Sequence, residues 1–210
     1  MSVPNSSPWD AVLFDYGRVL SYAPSREELL DFAALTGVSE AVFFELYSNT
    51  RDHYDRGHAD YRQHWQRFAD VAEVQISPPT LERMVAMESD MWTRLNPEML
   101  TLAREIKSRG LKTAILSNMP FDLLAELRRK FDWLDEFDVQ TWSCELGVIK
   151  PDAEIYHACL TALGCEAGRA LFFDDRPRNV DGAKQAGMDA HVFESAAQAR
   201  EIVQRGLNLS

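Results

Sequence analysis

Three short apolar runs, each ending abruptly in side chains able to do chemistry, constrain this chain more than any other feature. Ala11-Val12-Leu13-Phe14 runs into Asp15-Tyr16-Gly17, Lys112-Thr113-Ala114-Ile115-Leu116 into Ser117-Asn118, and Ala170-Leu171-Phe172-Phe173 into Asp174-Asp175. Runs of this length without polar alternation suit strands buried on both faces, as in a parallel sheet. Residues 137–141 and 190–193 are weaker strands of the same kind. Between them, helical spacing over 97–109 closes at Gly110, 153–163 at Gly164 and 179–186 at Gly187, with a further helix over 121–130. Strands alternating with such helices predict an α/β fold: a doubly wound, Rossmann-like parallel sheet. In these sheets ligands bind beyond the carboxyl ends of the strands. All three polar clusters fall there.

The alternation fails between residues 24 and 92. Helical patterns over 26–36, 40–49, 61–71 and 79–92 are punctuated by Gly37, Gly57 and Ser77-Pro78-Pro79. The predicted organisation is therefore an α/β core of residues 1–22 and 93–210, with an α-helical lid of residues 23–92 inserted after the first strand. Hinges are expected at 22–24 and 93–97.

A net charge of -11 argues against nucleic acid as a partner, which would call for a basic face. Small anions stay open, because a metal ion and one or two cations can invert a local field. Cys144, Cys159 and Cys165 show no CxxC spacing and read as reduced thiols rather than a zinc site or disulfide framework. Residues 1–10 lack a signal-peptide profile, and no apolar run nears the roughly 20 residues that span a bilayer. The expectation is a cytoplasmic protein with no membrane partner.

Each polar cluster has a chemistry. Asp15 can attack phosphorus and form an aspartyl-phosphate, splitting hydrolysis into two displacements. Ser117 and Asn118 can hold phosphoryl oxygens. Lys150, in Gly147-Val148-Ile149-Lys150-Pro151, can neutralise nucleophile and phosphate together. Asp174 and Asp175 offer the hard oxygens that Mg²⁺ prefers. Taken singly, each has a plainer reading as a turn residue, a helix cap or a solvated loop lysine. Their joint occurrence in this order, three of them at strand ends, favours the chemical one.

Together these residues resemble the haloacid dehalogenase-like hydrolases. Leu13-Phe14-Asp15-Tyr16-Gly17-Arg18-Val19-Leu20 is similar to that family's first motif, Ile115-Leu116-Ser117-Asn118 to its second, and Lys150-Pro151 to its third. Phe173-Asp174-Asp175 with Asn179 is similar to its fourth. The insertion resembles the family's helical C1 cap. The resemblance implies a Mg²⁺-dependent phosphatase that acts on a small phosphorylated metabolite, such as a sugar phosphate, through an aspartyl-phosphate. Asp15, Ser117 and Lys150 are then catalytic, Asn118 and Arg18 bind substrate, and Asp15, Asp174, Asp175 and the Gly17 carbonyl hold the metal. Helical caps in that family sometimes mediate dimers, which leaves a homodimer open.

One position departs from the pattern. Where phosphatases of the family carry an aspartate that protonates the leaving group, this chain has Gly17. Acid catalysis contributes typically 10²–10⁴-fold, so the expected substrate is one whose leaving group departs readily, an anomeric sugar phosphate or an acyl phosphate. The F-D-x-G-x-V form is similar to a subgroup near a sugar-1-phosphate phosphatase and the phosphatase domain of soluble epoxide hydrolases. Two alternatives follow: a 2-haloacid dehalogenase, which needs no metal, and a catalytically silent binding protein on the same fold. Within the insertion, the run from Arg51 to His58 and Trp65 and Trp92 are candidates for substrate choice, with packing as the plainer reading of both tryptophans. His53, His58 and His64 lack trustworthy metal-ligand spacing and read as surface or hydrogen-bonded residues.

Overall fold

The computed structural model describes residues 7–207. Residues 1–6, which open the expected core and its polar start, and residues 208–210 lie outside the described range. Five strands, β1 (Ala11–Phe14), β2 (Lys112–Ser117), β3 (Val139–Trp142), β4 (Ala170–Asp174) and β5 (Asp189–Val192), form one sheet in the order β3-β2-β1-β4-β5. All four pairings are parallel. The helices are α1 (Arg26–Thr36), α2 (Glu40–Asn49), α3 (Asp52–Asp55), α4 (Tyr61–Ala72), α5 (Pro78–Trp92) and α6 (Pro97–Ser108) in the first half. They continue as α7 (Phe121–Lys130), α8 (Ser143–Leu146), α9 (Ala153–Leu163), α10 (Pro177–Gln185) and α11 (Ala196–Gly206).

The unbroken apolar runs are explained by two cores. Val12 and Phe14 face Ile115, Leu171 and Phe173 under α6, α7 and α11, while Ala11 and Leu13 face Ala114, Leu116 and Phe172 under α9 and α10. Each large side chain removed from water there contributes roughly 1.5–3 kcal/mol, which is why β1 tolerates no polar position. Parallel register then sets the chemistry. Phe14 pairs with Ile115 and Phe173, and the Asp15 N–H donates to the Phe173 carbonyl at 2.9 Å. Asp15 and Asp174 therefore emerge side by side, with Ser117 at the end of the neighbouring strand.

Helices α1–α5 enclose a third core, built on Phe32, Phe43, Trp65, Phe68 and Met84. Their starts are set locally. Ser25 and Glu28 form a reciprocal cap on α1, Asp60 and Gln63 do the same on α4, and Ser77 followed by proline opens α5. The two chain crossings between these helices and the sheet run side by side. Ser21 bridges Leu95 in antiparallel fashion, Tyr22 N–H donates to Arg94 C=O at 2.7 Å, and Asn96 N–H to Leu20 C=O at 2.9 Å.

One helix lies beyond the sequence reading: Ser195 caps α11, whose Ala199 and Val203 are buried. One sequence expectation needs correction. His64 is neither exposed nor hydrogen-bonded; it is buried, and neither ring nitrogen has a partner among the described residues. Its ring lies 4.5 Å from that of Tyr54, nearly parallel. None of the described helices is long and apolar enough to cross a membrane, and all three cysteines are free thiols.

Candidate active site

The strand ends bring Asp15, Ser117 and Asp174 together, and the loop after β3 inserts Lys150 among them. The Lys150 ammonium is fully buried and saturated: it donates to Asp174 Oδ2 at 2.6 Å and Leu116 C=O at 2.9 Å, and lies 2.9 Å from Asp15 Oδ1. Burial works against its charge, but the two carboxylates outweigh it and hold its pKa above the ordinary lysine range. Asn118 fixes this loop. Its amide oxygen accepts from the Lys150 N–H at 2.7 Å and its amide nitrogen donates to the Lys150 C=O at 3.0 Å. Asn118 thus clamps the lysine while also bordering the cleft above the strands.

Asp174 is held from every side. Its carboxylate accepts from the Arg176 N–H at 2.8 Å and from the Asn179 amide at 3.0 and 3.1 Å, besides Lys150. Asp175, the next residue, turns toward the opening, where Arg18 approaches it at 3.5 Å. Arg18 itself is half-exposed and takes a left-handed backbone conformation, φ 62°, in the five-residue turn after Asp15. Gly17 borders the same cleft with φ -65°, and a Cβ built on it would meet only Trp92, at 3.5 Å. Neither backbone conformation nor space demands glycine there.

Carboxylate oxygens of Asp15, Asp174 and Asp175 lie within 4.8 Å of one another. Three carboxylates share one buried ammonium, with Arg18 3.5 Å from Asp175 at the opening, and the cluster still carries net negative charge. The cost registers on Asp15, whose pKa rises to about 7: burial is the largest cause and Asp174 and Asp175 add to it, while Lys150 and a hydrogen bond from Ser117 oppose. Asp175 is raised too, by burial and then by Asp174. A divalent cation is the counter-charge this donor set lacks, and all-oxygen donors suit Mg²⁺.

The inserted helices form the other wall of a cleft enclosing about 200 Å³. Its apolar part is Leu29, Phe44 and Trp92; its polar part is Tyr47, Arg51 and Asp55. Arg51 donates to Glu88 at 2.7 Å and to Asp55 at 3.3 Å, and Tyr47 donates to the same Glu88 oxygen at 2.9 Å. Of the two tryptophans, Trp92 borders the cleft and Trp65 is wholly inside the core of the insertion. Glu88 lay outside the sequence reading, because only the packing of α5 against α2 brings it to Arg51. Polar ties fasten the insertion over the strands. Arg56 pairs with Asp152 at 2.8 Å, Tyr54 Oη and Tyr61 N–H donate to Asp122 at 3.3 and 3.1 Å, and Ser143 Oγ donates to the Asp55 carbonyl at 2.5 Å.

Compared with known proteins, residues 10–187 match the family described as haloacid dehalogenase-like hydrolase. The phosphatase MT3486 of Mycobacterium tuberculosis is 31% identical over 139 residues, which are 65% of this chain and 63% of that protein; the chain thus spans less than two thirds of that relative's length. The HAD family enzyme BT-2542 of Bacteroides thetaiotaomicron, solved as a magnesium complex, superposes with a TM-score of 0.73 at 18% identity, over 89% of this chain and 94% of that one. A structure described as a dehalogenase superposes with a TM-score of 0.72 at 17% identity, over 92% and 96%. At such identities the last two share the fold.

Proposed function

The chain belongs to the haloacid dehalogenase-like hydrolases, and from that premise we propose that it is a magnesium-dependent phosphatase of a small phosphorylated metabolite, with sugar phosphates the first class to test. The observation that carries the reading is the triad Asp15, Asp174 and Asp175, whose oxygens cluster within 4.8 Å around a single buried lysine. A dehalogenase displaces halide from carbon without a metal and needs no such cluster of three carboxylates. A phosphatase uses a divalent cation there.

In the proposed reaction Asp15 attacks phosphorus and becomes an aspartyl-phosphate, which water then hydrolyses. Lys150 holds one Asp15 oxygen 2.9 Å away and so orients the carboxylate for attack. Ser117 and the remaining amide hydrogen of Asn118 receive phosphoryl oxygens, and Arg18 at the opening attracts the dianionic substrate. Magnesium held by Asp15, Asp174, Asp175 and the Gly17 carbonyl would supply positive charge opposite the phosphoryl group. Helices α1–α5 serve as the cap that excludes water and selects the rest of the substrate. The small cleft supports a metabolite over a macromolecule.

The test is phosphate release from a panel of sugar, acyl and nucleotide monophosphates, with Mg²⁺ or with EDTA, for wild type and Asp15→Asn. Metal-dependent release that disappears in Asp15→Asn is expected. Silence toward every phosphate, with halide released from 2-haloacids, would replace this reading by dehalogenation; silence in both assays would leave a binding protein.

A further inference from the structure

We propose that Asp55, carried by the inserted helices rather than by the sheet, is the general acid that protonates the leaving oxygen, the task for which position 17 offers only glycine. The assignment rests on the phosphatase reading above. Asp55 borders the same cleft as Asp15, Gly17 and Ser117. Its Oδ1 accepts from Arg51 Nη2 at 3.3 Å, while Oδ2 has no hydrogen-bond partner among the described residues.

Its position is fixed by main-chain contacts with the core. The hydroxyl of Ser143 donates to the Asp55 carbonyl at 2.5 Å and accepts from the Met119 N–H at 2.8 Å, so one side chain ties Asp55 to the loop that carries Ser117 and Asn118. Two residues further, Gly57 adopts φ 73°, and a Cβ there would lie 2.7 Å from the Cys144 carbonyl and 2.6 Å from the Phe121 ring. Backbone thus lies directly on backbone, and α3 is held against the sheet side of the cleft.

Elimination among the other proton carriers of the cleft leads to the same residue. Asp15 is the nucleophile, Asp175 belongs to the metal in that reading, and Lys150 is saturated by three acceptors. The guanidinium groups of Arg18, Arg51 and Arg176 do not give up protons in proteins. Tyr16 donates its hydroxyl to the Trp92 carbonyl at 2.7 Å, and Tyr47 donates to Glu88. His53, His58 and His64 line a separate cavity. The groups facing Asp55 are Arg51 beside it, Glu88 from α5 and Arg176 from the loop after β4. Burial is the strongest influence and pushes its pKa up from the ordinary aspartate value; Arg51 and Arg176 oppose and Glu88 adds. Burial thus shifts the carboxyl toward the protonated form that a general acid needs. Arg51, itself pinned by Glu88, is the positioning residue that aims it.

An Asp15 oxygen forms a bond to phosphorus, the bond from phosphorus to the ester oxygen breaks, and its electron pair passes to that oxygen. Asp55 gives that oxygen its proton and becomes a carboxylate, and the product leaves as a neutral alcohol. Water next attacks the phosphorus and yields a proton to Asp55, the bond from phosphorus to the Asp15 oxygen breaks with its electron pair returning to that carboxylate, phosphate departs, and both side chains are restored. With a donor on the inserted helices, Gly17 no longer confines the enzyme to leaving groups that depart unaided.

The experiment is kcat/KM for wild type, Asp55→Asn and Asp55→Glu, with Mg²⁺, on phosphate esters running from p-nitrophenyl to simple alkyl. Asp55→Asn should lose least on p-nitrophenyl phosphate, because that leaving group needs no proton. On alkyl phosphates it should lose about 10²–10⁴-fold, partly regained in Asp55→Glu. A second measurement needs no variant: in wild type the alkyl substrates alone should show a fall in kcat/KM toward high pH as the acid deprotonates. Equal loss on every ester, or the same high-pH limb for p-nitrophenyl and alkyl substrates, would overturn the assignment and leave Asp55 a structural residue. If wild type releases phosphate from none of them, the phosphatase reading falls and takes the assignment with it.

Discussion

Replacing His64 by phenylalanine should remove a specific acid sensitivity from this protein. His64 is only 2% exposed, both ring nitrogens lack partners among the described residues, and the Tyr54 ring lies 4.5 Å away at 10°. Burial, with the charges of Arg51 and Arg67 behind it, lowers its pKa from 6.5 to about 3. The folded protein therefore keeps His64 neutral across a range in which the unfolded chain binds a proton. A depressed folded pKa means stability fully present above the unfolded value of 6.5 and lost as pH falls from there toward 3. Each unit of pH in that window costs about 1.4 kcal/mol, so the loss at pH 5 is about 2 kcal/mol. His64→Phe keeps the ring on Tyr54 and leaves nothing to protonate. Urea unfolding of both proteins at pH 7.5 and pH 5 isolates the effect, since carboxylates common to both cancel in the difference. Wild type should lose about 2 kcal/mol more than the variant over that step. Parallel losses would refute the reasoning and mean that His64 finds a hydrogen-bond partner or protonates in place.

Other perturbations separate the roles assigned above. Lys150→Met leaves Asp15 and Asp174 facing each other without their shared cation; in EDTA it should destabilise by about 3–5 kcal/mol, with Mg²⁺ restoring more of the unfolding midpoint than it adds to wild type. Gly57→Ala forces φ 73° on a residue with a Cβ and drives that atom to 2.7 Å from the Cys144 carbonyl. A loss of about 1–3 kcal/mol in chemical denaturation is expected, and a substitution without effect would mean that α3 can lift from α8 freely. Gly17→Ala runs the other way. With φ -65° and a Cβ contact of 3.5 Å, it should raise stability by about 0.4–1 kcal/mol in a thermal melt, and a drop would show the turn to be tighter than its geometry.

Most of the sheet was legible because its strands are covered on both sides. Ala11–Phe14, Lys112–Ser117 and Ala170–Asp174 announce themselves as apolar runs, and parallel register then brings their last residues together without further information. The edge strand β5, Asp-Ala-His-Val, was placed one residue late. Asp189 and His191 break its apolar signal, and Asp189 is there to accept the Trp9 indole N–H at 2.9 Å. Helix α11 could have been found from Ser195 followed by Ala199 and Val203 at helical spacing. His64 was misjudged although it lies one turn before the buried Phe68 on α4. The sheet side of the cleft follows from strand ends and could be read in advance. Asp55 could be read only as part of the Arg51–His58 run of candidates for substrate choice, and Glu88 not at all, because both depend on how α3 and α5 pack against elements distant in the chain, and no local pattern encodes that.

The central position of β1 also bears on how the protein is made. Of the five strands, the first to be synthesised has both its partners downstream, β2 beginning about 100 residues later and β4 about 160. Helices α1, α2, α4 and α5 are complete before either partner exists, and their core around Phe32, Trp65 and Phe68 uses only contacts among themselves. The insertion is thus built for early condensation. β1, four apolar residues with no polar position, waits uncovered until the C-terminal half arrives. During that interval it is an adhesive segment, and the helices that later roof the cleft are the nearest folded surface available to shelter it.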